Sequence, residues 1–278
     1  MNKRKRSFKP LKIILLIIAA VILILTACLV AMSLSPLEVT RYSIESDKIT
    51  SPVKIALMAD LHDDEIGKDN TLLISTLTEE KPDIILLCGD MILLTKDNHE
   101  AAYSAITQFA EIAPTYYSMG NHEWDIYTRT DLTDRIAECG AVFLNDEYEI
   151  VSVGENRIKL CGYSDYYANP LTRKTHVLYK FLAGDEYKIL MCHMPEYYVN
   201  WFAGYDFELT VSGHVHGGQI RLPYLGGVYG PNQGLFPEYD KGLYNFSDNK
   251  LIVTAGLGNF VWVPRLNNPP ELVIIELE

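Results

Sequence analysis

Apolar runs and amphipathic segments alternate along the first half of the chain. Val53–Met58 and Asp83–Cys88 are largely apolar runs that predict buried strands, and Asn70–Glu80 between them has leucines at helical spacing. The same order repeats with a helix predicted over Glu100–Ile112 and a strand over Tyr116–Met119. Strands that alternate with helices form parallel sheets, so the pattern predicts an α/β fold.

The second half has shorter apolar runs separated by turn residues and is predicted to be richer in sheet. A third amphipathic helix is predicted at Asp131–Cys139. It is followed by predicted strands at Val142–Leu144, Glu149–Val153, Ile158–Cys161, Lys188–Cys192, Leu209–Ser212, Leu251–Ala255 and Leu272–Leu277. The last two indicate a second sheet packed on the first. Seven glycines and two prolines between residues 213 and 234 predict a loop.

One apolar run is long enough to span a membrane. Ile13–Met32 contains twenty residues without a charge, and a helix of this length spans about 30 Å, the thickness of the hydrocarbon core. The six basic residues before it predict a cytoplasmic N-terminus and a remainder that faces outward. The alternative is a cleaved signal peptide, and Leu25–Cys28 resembles a signal for lipidation at Cys28. The length of the run favours an uncleaved anchor.

These segments predict four parts. They are a basic cytoplasmic N-terminus (1–12), a transmembrane helix (13–32), a linker with an initial strand (33–50) and one globular domain (51–278). The predicted localisation is therefore the cell membrane, with a single span and an extracytoplasmic domain.

Charge narrows the choice of partners. The chain has 24 basic and 36 acidic residues, and six of the basic ones lie before Ile13, which leaves 18 basic against 36 acidic residues. A nucleic-acid-binding surface needs an excess of basic side chains, so we expect no nucleic-acid partner. Five cysteines are too few for a disulfide scaffold, and we expect no essential disulfide.

Residue types that bind metals occur where the apolar runs end. They are Asp60, His62, Asp90, Asn121, His193, His214 and His216. Carboxylate, amide and imidazole ligands suit divalent ions such as Mn, Fe, Zn or Co. The set is large enough for two ions if Asp90 bridges them. One ion would take Asp60, His62, Asp90 and His216, and the other Asp90, Asn121, His193 and His214.

Several of these residues follow predicted strands. Open α/β sheets place their sites outside the carboxyl ends of the strands, so we expect the three strand ends that lead to Asp60, Asp90 and Asn121 to converge there. Two ions held close together activate a shared water and stabilise the attacking and leaving oxygens at phosphorus. His122 is not needed as a ligand and is left as a proton donor.

The order of the residues resembles that of a known family. The blocks are Asp60-Leu61-His62, Gly89-Asp90, Gly120-Asn121-His122-Glu123, His193 and Gly213-His214-Val215-His216. They are similar to the D-x-H, G-D, G-N-H-[ED], H and G-H-x-H blocks of the calcineurin-like metallophosphoesterases, over residues 53–278. The resemblance implies a four-layer α/β/β/α sandwich, the metal roles given above, and a catalytic His122 that stabilises or protonates the leaving group.

One block departs from the protein serine/threonine phosphatases of this superfamily. Their longer block, G-D-x-V-D-R-G, includes a carboxylate that pairs with the catalytic histidine, whereas this chain has Met91-Ile92-Leu93-Leu94 after Asp90. The departure argues against a protein phosphatase and leaves the partner of His122 open. Glu123 and Asp63 are the candidates, since a carboxylate there would orient the imidazole.

Two later segments resemble a membrane-anchored bacterial subgroup of the family whose members look like phosphodiesterases. The segments are Gly217–Pro223 and Gly256–Gly258 with Pro264-Arg265. In this interpretation Arg221 and Arg265 hold a substrate phosphate. An apolar mouth for a lipid tail is formed by Leu222, Tyr224, Leu225, Phe236 and Trp262. The alternative for these apolar residues is the hydrophobic core.

The sequence thus predicts a dinuclear metal-dependent phosphoester hydrolase, acting on monoesters or diesters through a hydroxide that bridges the ions. The hypothesis includes membrane anchoring and a lipid-linked or envelope phosphoester as substrate. A non-catalytic metal-binding envelope module is the alternative, and a nuclease is the third hypothesis, which the acidic composition opposes. Complete retention of the ligand set favours the enzyme.

Overall fold

Two six-stranded sheets form the centre of the computed structural model, which describes residues 9–32, 36–127, 131–164, 175–247, 249–259 and 263–278. The helices are α1 (Lys9–Met32), α2 (Thr71–Glu80), α3 (Glu100–Ile112), α4 (Asn121–Tyr127), α5 (Leu132–Glu138), α6 (Thr175–Leu182) and α7 (Pro195–Tyr197). The strands of the first part are β1 (Glu38–Ile44), β2 (Val53–Met58), β3 (Ile84–Cys88), β4 (Thr115–Ser118), β5 (Val142–Phe143), β6 (Glu147–Val153), β7 (Asn156–Tyr163), β8 (Tyr187–Cys192) and β9 (Leu209–Ser212). Those of the second part are β10 (Arg221–Leu222), β11 (Gly226–Gly227), β12 (Tyr229–Gly230), β13 (Gly234–Leu235), β14 (Gly242–Phe246), β15 (Asn249–Val253) and β16 (Glu271–Leu277).

The first sheet has the strand order β1-β16-β2-β3-β4-β5. Strands β2 to β5 are parallel neighbours, as the alternating pattern predicted, and α2 and α3 are their crossover helices. The last strand of the chain was predicted to belong to the second sheet, and that prediction was wrong. β16 lies between β1 and β2 and runs antiparallel to β2. An apolar run shows that a strand is buried but does not show which sheet buries it.

The second sheet has the order β14-β15-β9-β8-β7-β6. Its inner strands β15, β9, β8 and β7 are parallel, and an antiparallel strand lies at each edge. The predicted strand at Leu251–Ala255 corresponds to β15. β14 and α6 were not predicted from the sequence.

The apolar side chains of each sheet divide between its two faces. In β2, Ala56 and Met58 pack with the helices outside the first sheet, whereas Ile55 and Leu57 pack against residues of the second sheet. This two-residue alternation is the reason that a continuous apolar run suits a strand covered on both faces. A third core, which includes Phe181 of α6, covers the outer face of the second sheet. The layers are therefore α/β/β/α, and the predicted fold class is confirmed.

The N-terminal helix is separate from these cores. The segment Leu11–Cys28 of α1 has a mean hydropathy of 3.0 and none of it is buried, so by length and composition it is able to cross a membrane. A signal sequence passes the same test. After α1 the chain forms β1, an edge strand of the first sheet, within the segment predicted as a linker with an initial strand. Residues 1–8 and 33–35 of the predicted segments lie outside the described residues.

The glycine-rich segment predicted as a loop contains short regular structure. β10 pairs with β11 and β12 pairs with β13, so the segment folds as two small hairpins. The turn before the first hairpin packs closely against it, because a Cβ on Gly218 would lie 2.3 Å from the Cα of Gly227. Only glycine, which has no side chain, fits at this contact. The sequence did not predict these strands because the glycine-rich segment has no periodic pattern of hydrophobic residues.

Candidate metal centre

The predicted metal ligands lie where strands of both sheets end. Asp60 and His62 follow β2, Asp90 follows β3, and Asn121 follows β4. From the second sheet, His193 follows β8, and His214 and His216 follow β9. The six ionisable side chains of the set are buried. The structure thus brings all seven predicted residues to one edge of the sandwich, although the sequence predicted convergence only for the three strand ends that lead to Asp60, Asp90 and Asn121.

Many of these residues have an unusual backbone conformation. Asp60, His62, Asp90, His214 and His216 have φ values of 56°, 54°, 54°, 71° and 50°. Positive φ is uncommon outside glycine and concentrates at functional sites, where surrounding contacts maintain it. Here the amide of Asp60 donates to Gly89 O at 3.0 Å and the amide of His62 to Asp90 O at 3.1 Å. The turns at two strand ends therefore support each other.

The ionisable side chains form three overlapping groups in which the possible ligand atoms lie within 4.8 Å of one another. The groups are Asp60, His62 and His216; His62, Asp90 and His122; and Asp90, His193 and His214. Nε2 of His62 lies 3.1 Å from Nε2 of His216, and Nε2 of His193 lies 3.1 Å from Oδ2 of Asp90. Asp90 belongs to two groups, which is the placement that a bridging carboxylate requires.

The amide of Asn121 supplies an independent test of whether a cation fits here. Its Oδ1 is buried and accepts no hydrogen bond within the described part of the chain. A buried polar oxygen without a donor is costly, and amide oxygen is a suitable ligand for hard divalent ions. The residues present therefore fit a bound metal ion.

Burial keeps three of the histidines neutral. It lowers the pKa of His62 and of His214 to about 3, and it holds the pKa of His216 well below its usual value. Neutral imidazole is the form that coordinates a metal ion. At neutral pH these rings are ready to bind without losing a proton.

Asp90 and His193 form a buried ion pair. Burial opposes the charge on both, but His193 and the neighbouring histidines hold the pKa of Asp90 well below its usual value. Conversely, Asp90 and Asp60 raise the pKa of His193 to about 10 against the effect of burial, so a metal ion bound by this ring would displace the proton on Nε2. Nδ1 of His193 donates to the carbonyl oxygen of Cys88 at 2.6 Å, so Nε2 is the atom that faces Asp90.

His122 lies at the start of α4 and is partly exposed, with 16% of its side chain accessible. Its Nδ1 accepts a hydrogen bond from the amide of Leu94 at 3.0 Å. The neutral ring therefore carries its proton on Nε2, which lies 3.9 Å from Oδ2 of Asp90. A backbone amide thus occupies the position for which a carboxylate partner had been considered.

The two carboxylates considered for that role have other partners. Glu123 is fully buried and accepts from the amides of Asp90, Ile92 and Gly120 and from the hydroxyl of Tyr117. It therefore supports the turn that carries Asp90. Asp63 accepts from the amide of Leu93 at 2.8 Å and lies 2.9 Å from Nδ1 of His99. These contacts hold the loop that presents the Leu94 amide to His122.

The Leu94 amide provides a test of how His122 is oriented. Leu94→Pro removes the N–H and should lower kcat by roughly tenfold to a hundredfold, the usual effect of losing an orienting hydrogen bond to a catalytic group. Leu94→Ala keeps the N–H and should retain normal turnover. Both rates are compared at equal metal content, and equal kcat values for the two variants would contradict the proposed orientation.

The loop after β15 fits tightly against the turn that carries Asp60. The amide of Leu257 donates to Ala59 O at 3.0 Å and that of Gly258 to Asp60 O at 2.7 Å. A Cβ on Gly258 would lie 1.9 Å from the carbonyl oxygen of Leu61. Gly258 therefore permits a backbone contact that no other residue type allows.

We expect Gly258→Ala to lower the free energy of unfolding by about 3 kcal/mol, because the backbone of the Asp60 turn must move to accommodate a methyl group. Gly204→Ala is the matched control, since a Cβ at Gly204 meets nothing within 4 Å. Thermal unfolding followed by near-UV circular dichroism checks both variants. A stability for Gly258→Ala equal to that of the control would refute the steric argument.

The two arginines predicted to hold phosphate have partners within the protein. Arg265 is buried and donates to the carbonyl oxygens of Gly258 and Ala255, and its Nη2 lies 3.1 Å from Nδ1 of His216. Arg221 donates to Gly217 O and to the carboxylate of Asp240, both at 2.8 Å. The contacts of Arg265 help to position His216. Phosphate binding by either arginine stays a prediction.

Of the five apolar residues predicted to contact a lipid tail, three are exposed, one is partly exposed and one lies outside the described residues. Tyr224, Leu225 and Phe236 are exposed, so they do not belong to the hydrophobic core, and Leu222 is partly exposed. Trp262 lies outside the described residues.

Two polar residues next to His214 were not identified from the sequence. Nδ2 of Asn232 donates to Glu196 at 2.7 Å and lies 3.2 Å from Nε2 of His214. Asn232 has a positive φ of 61° in the turn between β12 and β13. Its only signal in the sequence is an ordinary turn composition, Pro-Asn-Gln-Gly, which does not separate a functional residue from a structural one.

The two-sheet sandwich and the cluster at its strand ends are those of a metal-dependent phosphoesterase. The chain belongs to the calcineurin-like phosphoesterase family, whose sequence profile matches residues 53–218. The predicted family and the assignment as a hydrolase of phosphoester bonds are thereby confirmed.

Curated relatives share most of the chain. Phosphodiesterase YaeI of Escherichia coli (strain K12) is 27% identical over 236 residues, which are 82% of this chain and 83% of that protein. YkuE of Bacillus subtilis (strain 168), named an uncharacterized metallophosphoesterase, is 26% identical and covers 87% of this chain and 86% of its own length. A Bos taurus protein named transmembrane protein with metallophosphoesterase domain is 26% identical over 81% of this chain and 53% of that protein.

Proposed function

We propose that the chain is a dinuclear metal-dependent phosphodiesterase anchored in the membrane by α1. The observation that carries the proposal is that Asp90 belongs to two of the three ligand groups, together with the buried Asn121 oxygen, for which the described residues supply no donor. One ion would be held by Asp60, His62, Asp90 and His216, and the other by Asp90, Asn121, His193 and His214. When bound, the two ions would supply an activated water and positive charge for the phosphoryl oxygens.

We propose two roles for His122: its side chain donates a proton to the leaving group, and its backbone amide positions Asp90. His122 presents Nε2–H beside the cluster because Leu94 occupies its Nδ1. That proton is available to the leaving oxygen as negative charge develops on it. The amide of His122 also donates to Oδ1 of Asp90 at 2.8 Å, so the proton donor and the bridging carboxylate keep a constant separation.

Membrane anchoring is supported by α1 and by the charge before it. The helix is long and apolar enough to span a bilayer, and basic residues precede it in the sequence. The name of the bovine relative adds support, and that of the Escherichia coli relative supports a diester as substrate. A phosphodiester carried by a membrane lipid or by the cell envelope is within reach of a site anchored in this way.

Hydrolysis of bis(p-nitrophenyl) phosphate by the purified full-length chain tests the proposal. We expect turnover with added Mn²⁺, loss of turnover after chelation, and recovery when the ion is restored. The content of Mn, Fe, Zn and Co is measured in parallel by elemental analysis. Two bound ions without hydrolysis of this diester, or of p-nitrophenyl phosphate, would favour the metal-binding module instead. No cleavage of single- or double-stranded DNA is expected from so acidic a chain.

A further inference from the structure

The surface beside the metal centre carries most of the exposed apolar side chains of the globular part. Among the described residues that follow α1, eight large hydrophobic side chains are exposed, and five of them lie between residues 224 and 236. These five are Tyr224, Leu225, Tyr229, Leu235 and Phe236, and we call them the hairpin surface. Five exposed apolar side chains within thirteen residues indicate a binding surface, and two of them, Tyr229 and Leu235, lie opposite each other in the β12–β13 pair.

The hairpin surface is uncharged and has a defined shape. The segment Leu222–Phe236 contains no Asp, Glu, Lys or Arg, although acidic residues outnumber basic ones in the whole chain by 36 to 24. The amide of Phe236 donates to Val228 O at 2.9 Å, and the amide of Val228 donates to Ile220 O at 2.8 Å, which joins the two hairpins. A preformed apolar surface therefore projects from an acidic domain.

Two aromatic residues of this surface have a strained backbone conformation. Tyr224 has a φ of 68° and Phe236 a φ of 54°. Positive φ is costly for bulky residues and persists where the surrounding structure imposes it. Burial in the core does not compensate for the strain, because the side chains of Tyr224 and Phe236 are 106% and 53% exposed.

The chain itself limits how far this surface lies from the membrane anchor. Leu37 and Arg221 line the same cavity of about 700 Å³. Leu37 is five residues beyond Met32, the last residue of α1, and Arg221 begins the first hairpin. Five residues span at most about 18 Å. The base of the hairpins is therefore tethered close to the end of the proposed membrane span.

We propose that the hairpin surface inserts into the lipid leaflet at the end of α1 from which the domain emerges. The inference rests on the proposed anchoring by α1. Tyrosine and leucine side chains suit the boundary between headgroups and acyl chains, where tyrosine keeps its hydroxyl in water. Because the segment is uncharged, it meets an anionic leaflet without the repulsion that the acidic remainder of the domain experiences.

Insertion would direct the catalytic site to the membrane surface. Asn232, in the turn of the second hairpin, lies 3.2 Å from Nε2 of His214. Hairpins seated in the leaflet therefore place the metal ligands next to the phosphate layer. The substrate class that fits this placement is a phosphodiester carried by a membrane lipid, rather than a soluble nucleotide.

A fluorescent label at the hairpin tip tests insertion in the full-length chain. Cys28→Ser leaves only buried cysteines, and Leu225→Cys then provides one accessible thiol for an NBD label. Ile150→Cys, at an exposed apolar position on the edge strand β6, is the matched control. Both proteins are reconstituted into vesicles of phosphatidylcholine and phosphatidylglycerol, with and without nitroxide-labelled lipid.

We expect the label at residue 225 to shift to shorter wavelength and to be quenched by the lipid nitroxide, while the label at residue 150 stays sensitive to aqueous iodide. Iodide quenching of both labels to the same extent would overturn the proposal. The proposal would also be overturned if the label at residue 225 were protected from iodide only at high protein concentration and were not quenched by the lipid nitroxide. That result would indicate that a second copy of the chain covers the hairpin surface.

Activity provides a second readout. The vesicles contain a p-nitrophenyl phosphodiester of diacylglycerol, and bis(p-nitrophenyl) phosphate is the soluble counterpart with the same leaving group. In the variant Tyr224→Ser with Leu225→Ser, the ratio of vesicle to soluble rate should fall by at least roughly tenfold, because loss of the leucine side chain from lipid alone has an effect of about that order. An unchanged ratio would contradict insertion.

Failure of the unmodified chain to hydrolyse either diester would instead count against the proposed function. The labelling experiment would then still decide whether the hairpin surface inserts.

Discussion

Asp90→Asn should reduce the metal content from two ions per chain to one or fewer and lower diester hydrolysis roughly a thousandfold, equivalent to about 4 kcal/mol of transition-state stabilisation. Asp90 belongs to two of the three ligand groups, and its Oδ2 lies 3.1 Å from Nε2 of His193. The substitution keeps the shape of the side chain but removes its charge. An amide is neutral and has one oxygen where the carboxylate has two, so Asn would be a weaker ligand at a position that two ions would share.

The measurement is elemental analysis of the purified variant beside its rate with bis(p-nitrophenyl) phosphate. Asp97→Asn is the matched control, because Asp97 is exposed in the loop after β3 and the substitution removes the same charge. Two ions per chain in the Asp90→Asn protein would show that Asp90 does not bridge them. A loss in both variants would indicate a general effect of charge instead.

His122→Ala should lower turnover by roughly 10² to 10⁴ without changing the metal content, the range usual for loss of one general acid. His122 lies beside His62 and Asp90, but its Nδ1 accepts the Leu94 amide and its side chain is partly exposed, which suits a proton donor. His176→Ala, at an exposed position in α6, is the control for removal of a histidine. The control should retain normal turnover.

Dependence on the leaving group distinguishes proton donation from a structural role. p-Nitrophenolate leaves with little need for a proton, whereas an alkoxide requires one. The loss in the His122→Ala protein should therefore be larger for a methyl leaving group than for p-nitrophenol in otherwise identical diesters. Equal losses for the two leaving groups would exclude the role as a general acid, and a reduced metal content would make His122 a ligand.

Elements whose apolar residues follow a local period were predicted well. α3 at Glu100–Ile112 and β9 at Leu209–Ser212 have the predicted bounds, and β2 and β3 differ from the prediction by at most one residue. Their patterns depend on neighbours within a few positions, which the sequence displays directly. The hairpins between residues 221 and 235 were missed, because two-residue strands stabilised by close glycine contacts have no such pattern.

The candidate site shows a similar division. The side chains that bear metal-binding atoms were identifiable as residue types at the ends of apolar runs. The hydrogen bond from Leu94 to His122 was not, because a backbone amide is the same in every residue except proline. The roles considered for Glu123 and Asp63 show the same limit. A sequence displays a carboxylate but not the amides that it binds in the folded chain.

By itself, the sequence determined the kinds of ligand, their order, the α/β class, the family and the presence of a long apolar N-terminal run. These properties depend on residue identity and short-range spacing. The tertiary structure decided that β16 lies in the first sheet, that Asp90 lies in two ligand groups, and that Arg221, at the start of the first hairpin, shares a cavity with Leu37. These three features depend on contacts between segments that are distant in the sequence. Packing and hydrogen-bond geometry determine which segments pair, and the sequence alone does not distinguish one possible partner from another.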